Sequence, residues 1–97
     1  HSLLIGEAAS ADDRNQIKNA IEITDAVDHL VALRTQHLGP DEILVGAKVV
    51  FHPGLDATGV AGAIDGVEAL IRKAVPATGP IFIEPVLPTE PEAPAQD

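Results

Sequence analysis

Apolar residues recur along this chain with two different periods, and each change of period marks a new element. Ile17, Ala20 and Ile21 stand at i, i+3 and i+4, the spacing of one helical face. Ser10 ahead of them can cap a helix, and Asp12 and Asp13 fall in its first turn, where the helix dipole favours anions. These signals predict a helix over 11–22. Residues 28–36 and 43–51 instead carry strand formers on either side of Leu38-Gly39-Pro40-Asp41-Glu42, a turn punctuated by Gly and Pro. They predict a hairpin that ends at Pro53-Gly54. Helical spacing returns with Ala57, Val60, Ile64, Val67, Ile71 and Ala74, behind an N-cap at Asp56. Arg72 and Lys73 close this second helix, and Pro76 stops it. Residues 80–85 read as a short third strand, and 86–97, rich in proline and acid, as a disordered tail.

The order α-β-β-α-β defines an α+β domain. A helical crossover between the second and third strands is right-handed, which sets those two strands parallel. The third strand is then expected beside the first, giving a three-stranded sheet of order 2-1-3 with both helices on one face, a ferredoxin-like sandwich. Domain limits follow: a lead-in over 1–9, one domain over 10–85 and the tail over 86–97. Gly59, Gly62 and Gly66 lie inside the second helix, where close packing of helix on sheet would explain them.

Strand alternation distributes the side chains. With the hairpin turn centred near Gly39 and Pro40, Leu30 and Ala32 share a face with Val45, Ala47, Val49 and Phe51, the expected core. The opposite face carries His29, Val31, Leu33, Lys48, Val50 and His52, joined by Phe82 and Glu84 from the third strand. A sheet covered on one side only, with aliphatic residues on its open side, calls for a partner. The expected partner is a second copy about a two-fold axis, meeting it through Val31, Leu33, Lys48, Val50 and Phe82.

Composition removes several functions. The chain has 97 residues and no cysteine, so it offers no disulfide scaffold, thiol nucleophile or thiolate metal site. A net charge of −9 with only 6 basic residues argues against binding a nucleic-acid backbone. No apolar run approaches the roughly 20 residues that span a bilayer, and no secretory apolar region is present. No hydroxyl residue stands in a pattern with a base, so no enzyme is expected. Metal chemistry is the remaining candidate. In the order 2-1-3, His29, His52 and Glu84 end their strands at one edge of the sheet, and two imidazoles with a carboxylate suit zinc or another divalent ion. Asp28 is a further ligand or a strand cap. The alternative is two solvated imidazoles and no metal at all. His37, beside the turn, is expected at the surface.

Several stretches, taken in order, resemble the C-terminal cytoplasmic domain of the cation diffusion facilitator family. They are Ser2-Leu3-Leu4-Ile5-Gly6-Glu7-Ala8-Ala9, Leu33-Arg34-Thr35 with Leu38-Gly39-Pro40, Pro53-Gly54-Leu55, Asp65-Gly66-Val67-Glu68 and Ile81-Phe82-Ile83-Glu84-Pro85. The resemblance implies a six-helix membrane domain elsewhere in the protein, a location on the cytoplasmic side of the cell membrane, and a homodimer that binds zinc or a similar cation at its dimer face. Arg34 would match the Arg of the family's Leu-Arg-Thr segment. At the family's ligand positions, however, this chain has Val31, Lys48 and Ala61 in place of His, and Phe82 and Glu84 in place of a His-x-Asp pair. A lysine ammonium there repels a dication. The expectation is a regulatory and dimerising domain of a zinc/manganese-type efflux transporter that has largely lost its usual ligands. The alternatives are a free-standing metal-binding protein of the same fold and a metal-independent structural dimer module.

Overall fold

The computed structural model describes residues 5–88. Its elements are α1 (Ala11–Glu22), β1 (Val27–Gly39), β2 (Glu42–Phe51), α2 (Ala57–Ala74) and β3 (Thr78–Pro85). Residues 1–4 of the lead-in, with the apolar Leu3 and Leu4, and residues 89–97 of the tail lie outside the described residues. Both helices begin on the side-chain caps that the sequence offers. Ser10 accepts from the Asp13 amide at 3.1 Å, and Asp56 accepts from the Gly59 amide at 2.8 Å. The end of α2 is tied to β3, because the Arg72 guanidinium donates to the carbonyls of Thr78 and Gly79 at 3.2 and 2.8 Å.

The fold is α+β, with a mixed three-stranded sheet and two helices. β1 and β2 form an antiparallel hairpin, and β3 runs parallel to β2, as the crossover argument requires. The strand order corrects the expectation: it is β1-β2-β3, not 2-1-3. A helical crossover makes the two strands parallel whether or not they are neighbours, and here β3 pairs with β2 itself. On the edge of β1 that β3 was expected to occupy, the lead-in lies against Thr35 and His37. Gly6 donates to the His37 carbonyl at 2.8 Å, His37 donates to the Glu7 carbonyl at 2.7 Å, and the Ala9 amide donates to Thr35 Oγ1 at 3.0 Å.

That lead-in also corrects His37, which is buried rather than exposed, with Nδ1 2.9 Å from the Gly39 carbonyl oxygen. The core is aliphatic. Ile17 and Ile21 from α1 and Val67 and Ile71 from α2 pack with Ile43, Val45 and Val49 of β2 and with Ile81 of β3. Two of the three glycines of α2 need another explanation than close packing. Gly62 and Gly66 are exposed, and an added Cβ would meet nothing within 4 Å.

β1 is three residues longer than its partner because Asp28, Val31 and Leu38 are each skipped in the pairing. Each extra residue reverses the alternation on one side of it. Leu30 faces Val49 in the core as expected, but beyond Val31 the assignments swap. Leu33 pairs with Ala47 and is a core residue, whereas Ala32 pairs with Lys48 on the open face.

Candidate functional site

The open face of the sheet is built from cross-strand rows. Ala32, Arg34 and Gln36 of β1 stand opposite Lys48, Gly46 and Leu44 of β2, and Phe82 and Glu84 of β3 stand opposite Gly46 and Lys48. The middle row is Arg34–Gly46–Phe82. Gly46 has no side chain, so the sheet is hollow between a guanidinium and an aromatic ring. Two depressions meet along this row. One, of about 390 Å³, is lined by Ala32, Lys48 and Glu84, and the other, of about 280 Å³, by Gly6, Ala8, Gln36 and Leu44. Phe82 remains 66% exposed, a large apolar area to leave in water. A glycine inside a strand is a sign of close approach by another group, and the sequence reading passed over it.

Of the residues expected to form the dimer face, Lys48 and Phe82 lie on the open side with surface to offer. Leu33 does not, since the extra residue Val31 turns it into the core. Val31 and Val50 are buried at 4% and 2% exposure, outside the main core cluster, and have almost no free area for a partner.

The expected metal ligands are only partly brought together. His29, the third residue of β1, lies on the open face opposite Val50, and His52 follows the last residue of β2 with its amide donating to the Ala26 carbonyl at 2.9 Å. Asp28 joins them. Its Oδ2 lies 2.5 Å from His29 Nδ1, and its Oδ1 lies 3.3 Å from His52 Nδ1. Glu84 is elsewhere. It pairs with Lys48, four residues short of His52, or roughly 13 Å along the strand. The physical reason is the strand order, which puts β2 between β3 and β1 and ends β3 level with Val49. Among the described residues no three His, Asp or Glu side chains already surround one point as metal ligands do. No helix among them is long and apolar enough to cross a membrane.

No protein-family model and no curated protein matches the chain. Solved structures do share its fold. A nickel form of the MamM C-terminal domain with one Asp-to-Asn substitution aligns at a TM-score of 0.73 and 16% identity, over 79% of this chain and 96% of that one. A cadmium form with an Asp-to-Glu substitution gives 0.72 and 16%, over 78% and 94%. A copper form with an Asp-to-His substitution gives 0.71 and 15%, over 89% and 96%. At such identities the likeness is one of fold.

Proposed function

We propose that this chain is the cytoplasmic C-terminal domain of a divalent-cation efflux transporter of the cation diffusion facilitator type, for zinc- or manganese-like cations. In that role it holds two copies of the transporter together through its open sheet face. The likeness of fold to the MamM C-terminal domain supports the class. The observation that carries the pairing is the Phe82–Gly46 row, which sets an exposed ring beside a hollow on the same face. A two-fold pair needs such a self-complementary patch, since each copy then fills its partner's hollow. Burying an aromatic ring of this size in a pocket makes it a candidate anchor of the pair.

The pairing reading does not use a metal at that face. Lys48 lies at the rim of the hollow, and Val31, Ala61 and Phe82 have no donor atoms to offer in their side chains. Sedimentation equilibrium tests this on the chain, with and without a chelator. Wild type is expected to be a dimer in both solutions, and Phe82→Glu is expected to weaken association by at least roughly 30-fold, the loss of an anchor residue. A single protomer at the highest concentration, or a Phe82→Glu protein that pairs as tightly as wild type, would overturn the reading.

A further inference from the structure

We infer that Asp28, His29 and His52 form a surface site for one divalent transition-metal cation per protomer. In a regular strand Asp28 and His29 would point to opposite faces of the sheet. Asp28 is instead an extra residue in β1, skipped between the Val27–Phe51 and His29–Val50 pairs. A bulge of this kind re-aims a side chain, and here it turns the carboxylate toward the imidazole beside it. The end of β2 then supplies His52 from across the ladder. One carboxylate is thereby shared by two rings, each approaching a different oxygen.

As placed, the three side chains do not surround one point, so coordination of one ion requires both rings to turn inward about the shared carboxylate. Two ligand atoms about 2.0–2.1 Å from a tetrahedral ion lie about 3.3 Å apart. His52 Nδ1 and Asp28 Oδ1 are 3.3 Å apart. His29 Nδ1 and Asp28 Oδ2, at 2.5 Å, are closer than two ligands of one ion and must separate by less than about 1 Å. The side chains are free to do so, at 51% exposure for each imidazole and 44% for Asp28. The donor set of two imidazoles and a carboxylate, in a chain without cysteine, suits zinc, nickel or copper better than magnesium or calcium. The net charge of −9 favours any cation. All three ligands belong to one protomer, so the site is independent of the pairing proposed above, and neither reading falls with the other.

Titration calorimetry with zinc chloride alone tests the site on the chain and on Asp28→Asn, His52→Ala and Glu84→Gln variants, each checked by circular dichroism for an unchanged fold. Wild type is expected to bind one zinc per protomer. Asp28→Asn and His52→Ala are each expected to lower the association constant by at least roughly tenfold, since loss of even an outer partner of a ligand costs about 10–100-fold. Glu84→Gln should bind as wild type does. Nickel added to isotope-labelled protein should broaden amide resonances around residues 28–29 and 52 first. Absence of zinc binding by wild type, or equal binding by wild type and an Asp28→Asn/His52→Ala double variant, would overturn the site.

Discussion

Replacing Leu33 with Ala tests the placement on which the whole open face depends. Leu33 is 3% exposed, pairs with Ala47 and belongs to the core cluster. The substitution removes three carbons, a transfer loss of about 2.4 kcal/mol at about 0.8 kcal/mol each. The small Ala47 opposite does little to close the space left behind, so a cavity contribution adds to this and the expected cost is about 3 kcal/mol. A domain of this length has a total stability of about 5–15 kcal/mol, so the loss is large. The companion change is Ala32→Leu. Ala32 is half-buried at the rim of the open hollow, and a larger side chain there extends into free space. Its expected effect is within about 0.5 kcal/mol. Urea unfolding followed by circular dichroism, at one fixed protein concentration, reads both. If Leu33→Ala costs under about 1 kcal/mol while Ala32→Leu costs about 1–3 kcal/mol, as overpacking does, then Val31 is not an extra residue and the faces are reversed.

Two further outcomes follow from the same packing. Gly62→Ala and Gly66→Ala, at exposed positions of α2 where an added methyl meets nothing within 4 Å, should each stabilise the domain by about 1 kcal/mol. For a chain of this size that corresponds to a melting temperature about 4–8 °C higher for each, and unchanged or lower values would point to a partner packed on that helix face. Thr35→Val removes the hydroxyl that accepts from the buried Ala9 amide, and should cost about 1–3 kcal/mol. It should also speed hydrogen exchange of the amides of Gly6 and His37, and slow exchange retained there would show that the lead-in is held by something else.

The helices were legible in the sequence to the residue, because Ser10, Asp56 and Pro76 bound them and their apolar stripes are unbroken. The outward Phe82 and Glu84 were equally plain, since β3 alternates without interruption where it pairs with Val45 to Lys48. The bulges were not legible. Asp28 and Val31 carry no Gly or Pro signal, and their extra lengths are absorbed only when β1 is fitted against a shorter β2. One unseen residue was enough to move Leu33 from surface to core. Strand order also escaped, since a parallel β2 and β3 satisfy the crossover rule whether or not they are neighbours. The contacts of Gly6, Glu7 and Ala9 along β1, which decide the matter, join positions far apart in the chain. Of the candidate residues, the nearness of His29, His52 and Asp28 was legible from the strand ends, whereas the distance of Glu84 from them follows from the strand order.

The lead-in covers β1 at Thr35 and His37, and the opposite margin of the sheet is β3, which contains Pro80 and Pro85. Each proline withholds a backbone donor from any strand that tries to add there. The β3 margin is therefore poorly suited to lengthening the sheet into a ribbon or fibril. Pairing of two copies through the broad open face, as proposed, would by contrast close on itself and stop at two.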